Sequence, residues 1–447
     1  MAALPAVAPA GDDPSFSELL AQRPHLTMDA AAGLMMEEVP LARIAREAGT
    51  PSWVYSAGTL RRRLAALKGA LDEARTGADI HFAVKANPNL AVLRVLAEGG
   101  AGADVVSEGE LRLARAAGIP AGHIVFSGVG KTVAEIRLAL EEDIQQINAE
   151  SAEEVAMISA IAAGMGRTAR VALRVNPDVD AKTHAKITTG KSENKFGIAI
   201  GDAPALYASM SAMPGIRAIG VAVHIGSQIT SGMSAYRIAY GHLADLVRGL
   251  RAQGLSVERV DCGGGLGIPY RDEPPPSPAA LAGAISATLG NLGVELMVEP
   301  GRWIAGPAGV LLASVILQKQ GAERRFVVLD AAMNDLVRPA MYDAWHGIVP
   351  VSPRDFHAAV APADVVGPVC ESGDTFARHR GLPMLEPASL VAFLDAGAYG
   401  AAMSSTYNNR PLAAEILVDG DRFAVVRERQ TQEALLAMQR LPAWMDA

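Results

Sequence analysis

The sequence predicts a (β/α)8 TIM barrel joined to a second, mostly β domain. Between Ile80 and Glu299, eight apolar strand candidates alternate with helical stretches, over about the 250 residues such a barrel takes. Polar residues follow every one of these strands, which disfavours a doubly wound sheet, where they would gather at one switch point. Beyond Gly306 the alternation stops and strand-like runs dominate. At 447 residues the chain is also too long for one ordinary core, so two domains are expected.

Taken in order, residues 1–13 read as a disordered tail, and residues 14–56 as an N-terminal segment packing with the β domain. Leu41 to Ala48 is expected to be helical, stopped by Gly49-Thr50-Pro51, with a brief strand from Ser52 to Tyr55. The barrel is expected over residues 57–305. It opens with the amphipathic helix Thr59 to Ala74, whose Leu60, Leu64, Leu67 and Leu71 share a face. Strands are expected at Ile80 to Lys85, Ala103 to Val106, His123 to Phe126, Ile144 to Ile147, Arg170 to Val175, Arg217 to His224, Val257 to Asp261 and Glu295 to Glu299. Ser107-Glu108-Gly109-Glu110, Thr132-Val133-Ala134-Glu135 and Ser151-Ala152-Glu153-Glu154 fit capping boxes that open the intervening helices. A long polar loop is expected from Pro177 to Lys195. Residues 306–447 form the β domain, with Asp419-Gly420 as a hairpin turn between its last two strands.

Composition narrows the function. Half of the residues are hydrophobic and a fifth are charged, as in a globular enzyme. A net charge of -8 argues against nucleic acid as partner. No apolar run is long enough to span a membrane. Two cysteines, Cys262 and Cys370, rule out a disulfide framework and fit a reducing cytoplasm. Gly130-Lys131-Thr132 resembles the end of a P-loop, but Val125 stands where that motif needs glycine. Gly263 and Gly265 do not complete GxGxxG, because Ile268 takes the last place. No metal-ligand spacing stands out.

The strand ends carry the chemistry. Lys85 closes the first strand against Asn87-Pro88-Asn89; alone it would be a solvated rim lysine. Gly263-Gly264-Gly265 leaves backbone amides bare enough to surround a phosphate. Ser227 could add a hydroxyl and Arg302 a cation at the same rim. Glu299, in Glu299-Pro300-Gly301-Arg302, could pair with Arg302 or hold a proton on a pyridine nitrogen, as a pyridoxal cofactor needs. His224 is by default a hydrogen-bonded core histidine, and beside such a ring it could stack.

FAVKAN, HIGSQ, CGGGLG, EPGR, CESGD and GAYG, in this order, resemble the barrel-type (fold type III) pyridoxal-phosphate decarboxylases, from about Gly49 to about Pro411. Within them the chain is most similar to the branch acting on diaminopimelate. The resemblance implies pyridoxal 5'-phosphate as cofactor, Lys85 as its Schiff-base lysine, Glu299 on the pyridine nitrogen and His224 against the ring. It implies Ser227, Gly263, Gly264, Gly265, Gly301, Arg302 and Tyr399 at the phosphate or its surroundings, with Asp104 and Arg174 supporting. Arg338, Tyr342 and Glu371, with Arg302 and Tyr399, would bind substrate; an arginine fork suits a carboxylate. Cys370 would protonate the carbanion after carbon dioxide leaves. The implied reaction converts meso-2,6-diaminopimelate to L-lysine in a cytoplasmic homodimer whose active sites are shared between subunits. Thr183-His184-Ala185-Lys186-Ile187 departs from the pattern, since many relatives carry Pro after the His. An ornithine- or arginine-type decarboxylase or a racemase is the alternative, and a non-catalytic pyridoxal-phosphate carrier the least favoured.

Overall fold

The computed structural model describes residues 13–180, 195–271 and 273–445. The chain divides into two compact units. One holds Leu60–Pro269 and Glu273–Ala305; the other holds the chain up to Thr59, Tyr270 and Arg271, and everything from Gly306 onward.

The first unit is a closed barrel. Its strands are β1 (Asp79–Ala83), β2 (Gly102–Val105), β3 (Ile124–Phe126), β4 (Gln146–Ala149), β5 (Ala169–Asn176), β6 (Ile216–Val223), β7 (Arg259–Asp261) and β8 (Glu295–Val298). Each pairs in parallel with the next, and β8 pairs with β1. Parallel strands covered on both faces need apolar side chains both inward and outward, hence the unbroken burial of β2, β3 and β4. The helix Ala57–Glu73 buries Leu60, Leu64, Leu67 and Leu71, each contributing about 1.5–3 kcal/mol of apolar burial.

Several elements differ in detail from the expectation. β1 ends at Ala83, and Lys85 sits inside a 3-10 turn, Val84–Ala86, closed by Asn87 N–H donating to the Val84 carbonyl at 3.0 Å. Asn87 is extended, as a residue before proline prefers. β4 lies two residues later than periodicity suggested, because Gln146 and Asn148 point inward and bond each other at 2.6 Å. The helix Ala203–Met210 and the strand Ile198–Ala199, which pairs with β5, had no local signal; Asp202 makes no side-chain cap. Most of the expected polar loop, with Thr183 to Ile187, lies outside the described residues.

Of the three capping boxes, only Thr132 with Glu135 is reciprocal. Ser107 and Ser151 do cap their helices. Their glutamates, however, reach one residue further back, Glu110 to the Val106 amide at 2.8 Å and Glu154 to the Glu150 amide at 2.7 Å. Glu154 is drawn there because its other oxygen holds Lys131 Nζ at 2.8 Å.

In the second unit, Ser52–Ser56 lies between Gly309–Gln320, antiparallel, and Ala414–Asp419, parallel. The sheet continues through Arg325–Leu329, Ala361–Val366 and Thr375–Leu382 on one side and Arg422–Arg427 on the other. The Asp419-Gly420 turn joins an antiparallel hairpin, with Gly420 at φ +66°. Leu19, Leu26, Leu34, Met36, Val54 and Ile416 belong to its core. Asp13, expected in a disordered tail, instead pairs with Arg271 at 3.2 Å and Arg380 at 3.1 Å. Residues 1–12 lie outside the described residues. Among the described residues no helix is long and apolar enough to cross a membrane.

Candidate active site

Four of the residues named for the barrel, Lys85, Arg174, His224 and Glu299, line one cavity of about 200 Å³, together with Phe196 and Asp261 among others. The 3-10 turn after β1 presents Lys85, whose Nζ donates to Asp104 Oδ2 at 2.6 Å. Asp104 is fully buried near the end of β2. Glu299 follows β8; it hydrogen-bonds Asp261, and its Oε1 is buried without a hydrogen-bond partner. Burial, then the charges of Asp104 and Asp261, pushes the Glu299 carboxyl well above its ordinary range.

Asp261 ends β7 and was not singled out from sequence. It accepts from Asn148 Nδ2 at 3.0 Å and from the Gly263 amide at 2.9 Å. Burial also raises its pKa. The signal was there in a charged residue directly before Cys262-Gly263, but an acid at a strand end has no periodicity to mark it.

His224 follows β6. Its Nδ1 accepts from the Gly264 amide at 3.3 Å, which places the ring proton on Nε2. Burial, then the charges of Arg174 and Lys85, holds it well below the ordinary histidine range, so the imidazole is neutral. Arg174, on β5, donates to Glu150 Oε1 at 2.8 Å and lies 4.9 Å from the Phe196 ring centroid. Glu150 also accepts from the amides of Gly128 and Gly197 at 3.0 and 3.1 Å, and so ties three rim segments together. Glu110, named from sequence only as a capping glutamate, is also buried enough that its carboxyl is pushed up to about 7.

The glycine run has a structural cause beyond bare amides. A Cβ on Gly263, Gly264 or Gly265 would overlap a carbonyl oxygen, respectively of Val223, Glu299 and Gly226. Gly263 and Gly265 also take positive φ, +67° and +97°. Beside them Arg302 Nη2 donates to Ser227 Oγ at 3.3 Å. Gly301 starts the short helix Arg302–Ala305, its carbonyl accepting from Ile304 and Ala305. The P-loop-like Lys131 is spent internally, on Glu154 and the carbonyls of Gly128 and Asn148.

Arg338, Tyr342, Cys370, Glu371 and Tyr399 belong to the other unit. Asp374 shapes the CESGD turn. Buried, it accepts from the Met333 and Val369 amides, both at 2.7 Å, and leaves Cys370 and Glu371 exposed. Asn408 Nδ2 reaches Cys370 Sγ at 3.2 Å, and the Tyr407 hydroxyl bonds Glu371. Neither Tyr407 nor Asn408 was legible beforehand, because the pairing spans more than 30 residues and Asn408 takes a left-handed φ of +55°. Tyr399 also adopts positive φ, +55°. Cys262 and Cys370 are both free thiols.

With this geometry the chain was compared with known proteins. The family model described as "Pyridoxal-dependent decarboxylase, pyridoxal binding domain" matches residues 57–306. A curated relative from Zymomonas mobilis, named diaminopimelate decarboxylase, is 47% identical over 92% of this chain and 98% of its own length. One of the same name from Pseudomonas aeruginosa is 47% identical over 92% of this chain and 97% of its own. The crystal structure of diaminopimelate decarboxylase from Helicobacter pylori complexed with L-lysine superposes with a TM-score of 0.85 at 37% identity, covering 89% of this chain and 98% of that one.

Proposed function

Because the chain belongs to the diaminopimelate decarboxylases, within the pyridoxal-dependent decarboxylase family, we propose that it decarboxylates meso-2,6-diaminopimelate to L-lysine, the reaction that ends lysine biosynthesis. The chain is a carboxy-lyase that uses pyridoxal 5'-phosphate. The observation that carries the substrate is a likeness running over 92% of the chain, through both compact units, rather than the barrel alone.

The residues present fit the cofactor. Glu299 Oε1, buried and unpartnered at the cavity wall, is an acceptor awaiting a donor such as a protonated ring nitrogen. Lys85 offers the amine that holds the cofactor's aldehyde carbon, and Asp104 fixes its direction. Neutral His224, held flat by the Gly264 amide, presents a ring face for stacking. The Gly263 and Gly264 amides are held by Asp261 and His224, so Ser227, Arg302 and the Gly265 amide supply donors for the phosphate, with Gly263, Gly264, Gly301 and Tyr399 shaping its surroundings. When bound, the cofactor supplies the electron sink that lets a carbon–carboxylate bond break.

The chain's other groups then have defined work. Burial, helped by the charge of Arg174, keeps His224 neutral, and Arg174 is itself held by Glu150. Arg338 takes the substrate's distal carboxylate, Glu371 its distal ammonium, and Tyr342 lines that end. Cys370 delivers the proton to the carbon that lost carbon dioxide, and the Asn408 amide, already at 3.2 Å, receives the resulting thiolate. We place these roles in a homodimer, the Cys370 segment of one subunit completing the barrel site of its partner.

The test is to offer purified holoenzyme meso-2,6-diaminopimelate, ornithine, arginine and lysine and to measure carbon dioxide release. Release from diaminopimelate alone is expected. Faster release from ornithine or arginine would replace the assignment with the other decarboxylase branch.

A further inference from the structure

We propose that His346 is a positioning residue that sets specificity by orienting Arg338 toward the distal carboxylate. The inference rests on the substrate reading above and extends it to a residue outside the set that touches substrate.

Local structure fixes the imidazole first. Ile348–Pro350 pairs antiparallel with Leu390–Phe393, and the Leu394 amide donates to the Gly347 carbonyl at 2.8 Å. That register brings the His346 ring against the end of the Leu390–Phe393 strand. Nδ1 meets the Leu394 carbonyl oxygen at 2.8 Å. A carbonyl only accepts, so Nδ1 carries the proton and Nε2 keeps its lone pair. Arg380 pins the same residue from behind, Nη1 donating to the His346 carbonyl at 2.7 Å.

Nε2 then accepts from Arg338 Nη1 at 2.7 Å. Tyr270 packs on both partners, edge-on to the His346 ring at 5.2 Å and 4.7 Å from the Arg338 guanidinium carbon. Arg338 and His346 are only 5% and 2% exposed, so the arrangement is a buried one. A guanidinium has five donors in a rigid plane, and fixing one of them fixes where the others point. A neutral imidazole does this without cancelling the positive charge, as a carboxylate partner would. Arg338 also opens the short helix Arg338–Tyr342, so its backbone is set by the same segment that ends in His346.

The ligands that read this out are L-lysine, which keeps the distal carboxylate, and cadaverine, which lacks it. The side-chain amide of asparagine replaces Nδ1 and cannot reach Arg338; that of glutamine replaces Nε2 and can. In the holoenzyme, His346→Asn should weaken lysine inhibition about tenfold, the worth of one hydrogen bond to a charged group, and leave cadaverine unmoved. KM for diaminopimelate should rise with it, more than kcat falls. His346→Gln should recover most of the lysine preference. In an Arg338→Ala background, His346→Asn should add nothing further, which a double-mutant cycle measures. A general packing role for His346 would weaken both ligands alike. If Arg338→Ala lowers the lysine preference but His346→Asn acts just as strongly in its presence, the positioning role is wrong while the substrate reading stands. If Arg338→Ala leaves the lysine-to-cadaverine ratio unchanged, the substrate reading fails first.

Discussion

At Glu299 a carboxyl oxygen is buried without a partner, beside two other carboxyl groups that raise its proton affinity. Such a group is poor as a bare anion and well suited to sharing a proton with a pyridine nitrogen. Glu299→Gln keeps the shape and loses the charge. It should retain cofactor, visible by absorbance, yet lose roughly a hundredfold in turnover, about 2.7 kcal/mol at the transition state. Near-normal turnover would leave Glu299 a structural group only. Lys85 and Glu299 were both legible in the sequence, since each interrupts an apolar strand with a charge at its end. Asp261, Asn148 and Glu150 were not. Their roles exist only through partners contributed by other strands, such as the Asn148 to Asp261 bond across 113 residues.

The loop after β7 shows the same division among elements. From the sequence, three consecutive glycines suggested open amides for a phosphate. In the fold two of those amides are taken by Asp261 and His224, and the run is where the backbone approaches Val223, Glu299 and Gly226 too closely for a Cβ. Gly264→Ala should therefore destabilise by about 1–3 kcal/mol, the usual cost of overpacking, and loosen cofactor. Gly283, inside the exposed face of helix Pro278–Leu289, has open space around it. Gly283→Ala should stabilise by about 0.5–1 kcal/mol. Thermal melts of the two holoenzymes check both signs, and equal shifts would remove close packing as the reason for the run. Helix starts were legible at the hydroxyl caps Ser107, Thr132 and Ser151, but not at Ser15, which forms a reciprocal capping box with Glu18, nor at the Ser352 and Thr431 caps. Which oxygen each glutamate used was not, because Lys131 competes for Glu154 from a different segment.

For the whole molecule, the proposed homodimer makes a quantitative demand. Lys85 belongs to one compact unit and Cys370 to the other. If the partner's Cys370 segment completes each barrel, Lys85→Ala and Cys370→Ala are each nearly inactive alone. Their mixed dimer keeps one intact site of two. Equal co-expression makes about half of the dimers mixed, so activity should return to roughly a quarter of wild type. Two different affinity tags verify the mixing. Verified mixed dimers as inactive as their parents would show that Cys370 acts within its own chain or not at all.

The sequence by itself determined the barrel, the β-rich second unit and the lysine, glycine and glutamate positions at the strand ends. These are local signals: a period, a cap, a charge where an apolar run stops. It left open how residues far apart in the chain would meet. Only tertiary structure set Ser52–Ser56 in the middle of a sheet made mostly from residues beyond 306. The same holds for Arg23 paired with Asp395 across 372 residues. It also decided that Glu299 would share its burial with Asp104 and Asp261, and that Arg338 would donate to His346. The physical reason is that burial and low local dielectric, which give these charges their strength, arise only when separate strands close around them.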